Sequence, residues 1–453
     1  MPLFRLVFGA LLAAFAAVVL PLAAGCGDAH ARLVVMVGFA DYTSLTLWVQ
    51  ADRAGPVEIE VAPEAAGSAG AGAQRLTLAA EAATDYVVTA RPGGLAPGTA
   101  YRWRIAAQGE TREGTARTQA YWSSAKDAAD VTIAIGSCHY LANPNPVFRG
   151  GGGDWQVFDA IAGKRPDLML WLGDNLYLQA PDFLDPGAMA ARYRQVRAFE
   201  PMQTLLTATA HLAILDDHDF GPNDADGSYV LKGQSLQLFQ RFWPNPGYGL
   251  PGAPGAFGWA RVGDIEFFLL DDRTYRDPNR YPDIPGKTMF GTAQFDWLKR
   301  ALLASHARIK LVAAGGQFWN RASRYEGLHR FPHEQKQLAD WLAEQKIDGV
   351  IFLSGDRHFG ELLKVERPGA YPLYEFTSSP LTSTPATRLD AAERDNPDLV
   401  PGTLHARRQF GLIRVGGPGT DRRIALEAYD SDGAPLWRHE IRANDLRHAR
   451  EKK

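Results

Sequence analysis

The sequence predicts a layered α/β body preceded by a small β-sandwich. Three patterns carry that reading. Between residues 131 and 353, short apolar runs alternate with stretches of helical periodicity, the order that builds a sheet covered by helices. Six of those runs stop abruptly in polar, chemically capable residues, as strands do when their carboxyl ends line a ligand-binding rim. Ahead of them, over residues 32–120, apolar residues recur with period two between Gly- and Pro-rich turns.

The chain opens with a single charge, Arg5, followed by an apolar run from Leu6 to Ala24. A lone apolar stretch ending in small residues reads as a signal peptide, here residues 1–26. Leu22-Ala23-Ala24-Gly25-Cys26 resembles a bacterial lipobox, with Ala23 where Leu is usual. That resemblance implies lipidation of Cys26, and export to a periplasmic or extracellular face as a membrane-anchored lipoprotein. No later stretch reaches the ~18 uninterrupted apolar residues of a membrane span.

Composition excludes several classes. Lys+Arg number 48 and Asp+Glu 51, and the resulting net charge of −3 is too near neutral for a general polyanion binder. No specific nucleic-acid recognition is therefore expected. An apolar content of 46% excludes disorder of the whole chain. Two cysteines, Cys26 and Cys138, exclude a disulfide scaffold.

In the front body, Leu33 to Val37, Leu45 to Val49 and Val57 to Val61 read as strands. Leu95 to Trp103, with Tyr101 near its end, looks like the tyrosine corner of an immunoglobulin- or fibronectin III-like sandwich. In the second body, Asp154 to Gly163, Gln294 to His306 and His333 to Gln345 have helical spacing. Near the C-terminus, Phe410 to Val415 and Ile424 to Tyr429 read as strands completing a second sheet.

The rim carries the chemistry. The apolar runs end in Ser137-Cys138-His139, Gly173-Asp174-Asn175, Asp216-Asp217-His218-Asp219, Asp271-Asp272-Arg273, Gly315-Gly316-Gln317 and Ser354-Gly355-Asp356-Arg357-His358. Carboxylates gathered on one rim repel one another, and cations remove that penalty. Thiolate, phenolate, imidazole and carboxylate together suit a transition metal beside a harder, oxygen-liking ion. Taken singly, Cys138 would be a buried small hydrophobe and Asp216 to Asp219 a charged loop; their shared placement at strand ends is what favours a metal centre.

Gly136-Ser137-Cys138, Gly173-Asp174-Asn175-Leu176-Tyr177, Asp216 to Gly221 and Ser354 to His358, in this order, resemble the alkaline phosphatase D (PhoD-like) family. That family belongs to the calcineurin-like metallophosphoesterases. The resemblance implies a four-layer αββα metallophosphoesterase sandwich over residues 130–445, behind the β-sandwich of 32–120. It implies hydrolysis of phosphate esters by a metal-activated water, with two or more metal ions, ferric iron and calcium. Asp174 would bridge the metals. Cys138, Tyr177 and His358 would complete the iron site, and Asp217 and Asp356 would serve the harder ion. His218 would act as general acid for the leaving oxygen. Asn175, Arg273 and Arg357 would contact phosphate or support the ligands. Many relatives supply a further His after the run Leu311 to Ala314; here Gln317 and Asn320 occupy that region, and either could replace it.

Two rival readings are weaker. A serine hydrolase would need a G-x-S-x-G elbow, which Leu353-Ser354-Gly355 lacks. A non-catalytic surface binding protein on a degenerate phosphatase fold would not need ligand-type residues at every one of these positions.

Overall fold

The computed structural model describes residues 32–64, 72–122, 128–141 and 151–449. The expected signal peptide and Cys26 lie outside the described residues. Among those described, no helix is long and apolar enough to cross a membrane.

The first seven strands form two sheets. Val34–Val37 (β1), Leu47–Gln50 (β2) and Val87–Ala90 (β5) make one, in the order β1-β2-β5. Gly55–Pro63 (β3), Gln74–Ala80 (β4), Ala100–Ala107 (β6) and Glu110–Arg117 (β7) make the other, ordered β4-β3-β6-β7. Alternation decides the faces. Val57, Ile59 and Val61 on β3 turn inward with Trp103 and Ile105 on β6, against Val35, Leu47 and Val49 of the opposite sheet. The expected tyrosine corner is present: the Tyr101 hydroxyl accepts the Ala96 backbone N–H at 2.8 Å. The outer face of the smaller sheet is not free. Val34, Met36 and Trp48 pack into the second body, where the Trp48 indole N–H donates to the Arg241 carbonyl at 2.8 Å.

The second body is two six-stranded sheets stacked face to face. One contains Val131–Gly136 (β8), Leu168–Leu172 (β9), Ala210–Ile214 (β10), Gln409–Gly416 (β17), Arg423–Asp430 (β18) and Pro435–Arg442 (β19), ordered β10-β9-β8-β17-β18-β19. The other contains Gly258–Val262 (β11), Ile265–Leu269 (β12), Ile309–Ala313 (β13), Val350–Ser354 (β14), Glu361–Val365 (β15) and Leu373–Thr377 (β16), ordered β11-β12-β13-β14-β16-β15. Period-two alternation sorts the first sheet. Ile133, Ile135, Leu170, Leu172, Leu212 and Ile214 face the second sheet. Ala134, Met169, Trp171 and Ala213 face the outer helices, meeting Phe158 and Ile161 of the helix Val157–Gly163. On the far side, Leu298 and Leu302 of Thr292–Ala304, and Leu338 and Leu342 of Pro332–Glu344, cover the second sheet. The layers are therefore helix, sheet, sheet, helix.

Two details differ from the sequence reading. The late strands β17 and β18 extend the first sheet, β17 pairing antiparallel with β8, rather than building the second. Their apolar alternation fixes a half-buried face but not a partner. The first helix begins at Val157, three residues later than its spacing suggests.

Strands β8, β9 and β10 run parallel, as do β12, β13 and β14. Their carboxyl ends open on one rim, where the six polar run-ends meet.

Candidate metal centre

The rim is held in tight, partly strained turns. Cys138, Asp174, Asp356 and His358 have φ of 57°, 50°, 62° and 56°, left-handed values that side chains other than glycine seldom adopt. Four such residues at three strand ends mark a site whose backbone is shaped by side-chain placement. Gly315 serves the same end: a Cβ there would lie 2.3 Å from the Asp216 carboxyl carbon. Only a glycine lets the end of β13 pass so close to that carboxylate.

Asp174 stands at the middle. Its Oδ2 is 3.5 Å from the Cys138 thiol and accepts the Tyr177 hydroxyl at 3.0 Å. Its Oδ1 accepts the His218 backbone N–H at 3.2 Å. The Tyr177 oxygen also lies 3.0 Å from His358 Nε2. The tautomer of His358 follows from its other nitrogen. Nδ1 is 2.7 Å from the Thr384 carbonyl, which can only accept, so the proton sits on Nδ1 and Nε2 keeps its lone pair toward the centre.

The turn Asp217–Phe220 positions the next group. Asp219 clamps it: its carboxylate accepts the backbone N–H groups of Asn175 and Asp216, each at 3.0 Å. Asp217 Oδ2 accepts the Asp224 N–H at 2.7 Å. The His218 ring lies over Tyr177, centroids 4.1 Å apart, and its buried Nδ1 has no hydrogen-bond partner among the described residues.

Four overlapping sets of donor atoms gather within 4.8 Å: Cys138, Asp174 and His358; Asp174, Asp217 and His218; Asp174, Asp216 and Asp356; and Asp216, Asp217 and Glu326. Asp174 belongs to three of them. The structure thus brings Cys138, Asp174, Tyr177, Asp217, His218, Asp356 and His358 to one place. Asp216 and Glu326 join them without having been singled out as ligands.

The electrostatics fit cations. Burial first, and then Asp217 and Cys138, hold the Asp174 carboxyl well above the usual carboxylate range. Burial, with Glu326 next, raises Asp356 to about 7. Burial pushes the Cys138 thiol to about 11, against the Ser379 hydroxyl that donates to it at 3.1 Å. Five carboxylates (Asp174, Asp216, Asp217, Asp356 and Glu326) share only Arg273 and Arg276 as hydrogen-bonded guanidinium partners among the described residues. One buried oxygen, Asp216 Oδ2, is left without any partner there. Groups driven toward protonation by burial and mutual repulsion are the groups a bound cation deprotonates and neutralises.

Three residues expected near phosphate are engaged within the protein. Arg273 is fully buried and donates to Asp216 Oδ1 at 2.7 Å through Nε, and to Glu326 Oε2 at 3.1 Å through Nη1. Burial alone would raise Glu326, but Arg273 and Arg276 outweigh it and hold its carboxyl below the usual range. Arg357 pairs with Glu393, its guanidinium 4.8 Å from the Tyr325 ring centroid. The Asn175 amide donates to the Ile214 carbonyl and to Asp219; its buried Oδ1 has no partner among the described residues. Gln317 and Asn320 turn their amides to the buried Glu361, at 2.7 and 3.0 Å, and appear in none of the four donor sets.

Fold and site together define a four-layer sandwich with a buried cluster of metal-ligating side chains at the carboxyl ends of its parallel strands. Residues 251–414 match the family model described as PhoD-like phosphatase, a stretch that includes Arg273, Glu326, Asp356 and His358. The chain is similar to the solved structure of PhoD, with 18% identity, 92% of each chain covered and a TM-score of 0.73. It is also similar to the purple acid phosphatase PPD1 from yellow lupin (Lupinus luteus) seeds, with 13% identity, 92% of this chain and 76% of that one covered, and a TM-score of 0.64. No curated protein matches the sequence. The resemblance to the PhoD-like phosphatases holds in the family match and in the fold.

Proposed function

We propose that this protein hydrolyses phosphate esters outside the cytoplasm, at a centre holding ferric iron and calcium. The observation that carries the reading is the place of Asp174 in three donor sets at once, the position a bridging carboxylate must have. Cys138, Tyr177, His358 and Asp174 would hold the iron, since thiolate and phenolate are good ligands for it. Asp217, Asp216, Asp356 and Glu326 offer only oxygen, which suits calcium. Bound there, the cations supply Lewis-acid charge to the phosphoryl group and make nearby solvent more acidic.

The chain's own residues do the rest. Asp174 and Asp217 accept the His218 backbone N–H, at 3.2 and 2.9 Å, and fix the residue beside the centre. Tyr177 holds its ring. Thus oriented, the His218 imidazolium gives its proton to the departing alcohol oxygen. The lipobox-like segment supports export and an anchored state, with Cys26 as the lipidated residue. In this reading Arg273, Asn175 and Arg357 support the rim through their partners within the protein rather than by touching the phosphate.

Turnover of p-nitrophenyl phosphate and bis-p-nitrophenyl phosphate tests the reading. Exhaustive chelation should lower both rates at least ~100-fold, and added iron with calcium should restore them. Turnover that survives complete metal removal overturns it. The iron assignment has its own test. Cys138→Ala should lose iron and retain calcium by elemental analysis; unchanged iron would remove Cys138 from that site.

A further inference from the structure

The helix Pro186–Arg197 reaches the turn that carries His218. Asp185 caps its start by accepting the Gly187 N–H at 2.8 Å, and Pro186 takes the first position. Met189, Tyr193, Val196 and Arg197 form its buried face, at helical spacing. Tyr193 and Arg197, four residues apart, lie on the same side. The Tyr193 hydroxyl donates to the Asp219 carbonyl at 3.1 Å, and its ring packs against Phe242, centroids 5.1 Å apart.

Asp219 is where this contact acts. Its carboxylate ties two strand ends together. It accepts the N–H groups of Asn175 and Asp216 at 3.0 Å and the Asn175 side-chain amide at 3.2 Å. Asn175 follows Asp174 in the chain, and Asp216 precedes Asp217 and His218. A shift of Asp219 therefore shifts His218 beside it.

Arg197 has no hydrogen-bonding reason to be where it is. It is at zero exposure, its guanidinium 3.7 Å from the Trp243 ring centroid, and Nε, Nη1 and Nη2 all lack a partner among the described residues. Burial lowers the guanidinium to about 10, against the charges of Tyr193 and Asp219. A buried charge without hydrogen bonds is costly, so fold stability does not account for it. What Arg197 supplies is positive charge opposite the Asp219 carboxylate, beside the hydroxyl that holds the Asp219 carbonyl.

We propose that Tyr193 and Arg197 are positioning residues for the leaving-group acid: acting through Asp219, they hold the turn that sets the His218 ring against Tyr177. The proposal rests on the phosphoester-hydrolysis reading with His218 as acid. It adds two residues that belong to none of the donor sets.

Phenyl phosphate and p-nitrophenyl phosphate, compared in the parent, Tyr193→Phe and Arg197→Met, test this. Phenolate is the poorer leaving group and depends more on the proton from His218. In both variants kcat for phenyl phosphate should fall about tenfold or more, against less than about threefold for p-nitrophenyl phosphate, with KM unchanged for each. Arg197→Lys keeps the charge and should recover most of the phenyl phosphate rate. The melting temperature of Arg197→Met should hold or rise, since methionine removes a buried charge at similar volume. A residue needed only for folding would lower the melting temperature and both rates together. In the chelated protein, the backbone N–H groups of Asp216 to Phe220 should exchange with solvent about fivefold faster in Tyr193→Phe, while β12 and β13 keep parent rates. Equal losses with the two esters, no loss with either, or unchanged exchange at the turn overturns the positioning role and leaves phosphoester hydrolysis standing. Absence of turnover of both esters by the metal-loaded parent overturns the hydrolysis reading and the positioning role with it.

Discussion

Asp174→Ala should empty the metal centre and stop turnover in one step. The carboxylate contacts Cys138, Tyr177 and the His218 backbone at once, so no neighbour can take over its place. Loss of transition-state stabilisation worth several kcal/mol predicts a fall in kcat/KM of at least ~1,000-fold. Iron and calcium should both drop, because one residue serves three donor sets. Stability should move the other way in the metal-free protein. There Asp174 is a buried acid raised by burial and by Asp217, so its removal relieves repulsion. The chelated variant should therefore melt no lower than the chelated parent, while the rise in melting temperature that metals give the parent disappears. A residue needed only for folding would lower the melting temperature in both conditions. Full activity with intact metal content would remove Asp174 from the bridging position.

Much of this centre was legible in the sequence because each ligand-type residue follows a buried strand. The apolar run Leu168 to Leu172 fixes where Asp174 emerges, and parallel pairing with β8 and β10 brings Cys138 and Asp217 beside it. The front sandwich was legible from alternation on β3 and from Tyr101. Glu326 was not. It lies in a loop after β13, in Arg324-Tyr325-Glu326-Gly327, with no apolar run leading into it. Hydrogen bonds from Arg273, Arg276 and Asn279 hold it beside Asp216 and Asp217. The late strands were visible, but not the sheet they join, because alternation encodes a face and not a neighbour. β19 was missed for a related reason. It lies at a sheet edge, and Pro435-Leu436-Trp437-Arg438 buries little. Arg273 has the same run-end signature as the ligands. What separates it is side-chain direction, which sequence position does not carry.

Arg273→Met distinguishes the two roles that signature allows. A guanidinium reaching for phosphate would, when removed, raise KM and leave stability intact. The structure puts Arg273 at zero exposure between Asp216 and Glu326, with its Nη1 also donating to the Ala225 carbonyl at 3.3 Å. Methionine fills a similar volume but leaves two buried carboxylates with less opposing charge. Removing one partner of a buried ion pair costs about 3–5 kcal/mol, chiefly because the other partner stays buried and unpaired. Arg276 still holds Glu326 at 3.1 Å, which favours the lower part of that range. The denaturation midpoint of chelated Arg273→Met should fall accordingly, and calcium should recover part of the loss, since a cation near Asp216 and Glu326 replaces some of the missing charge. Arg273→Lys keeps the charge but not the two-pronged geometry, so its loss should be smaller. Parent-like stability together with a raised KM for p-nitrophenyl phosphate would return Arg273 to the substrate side of the centre.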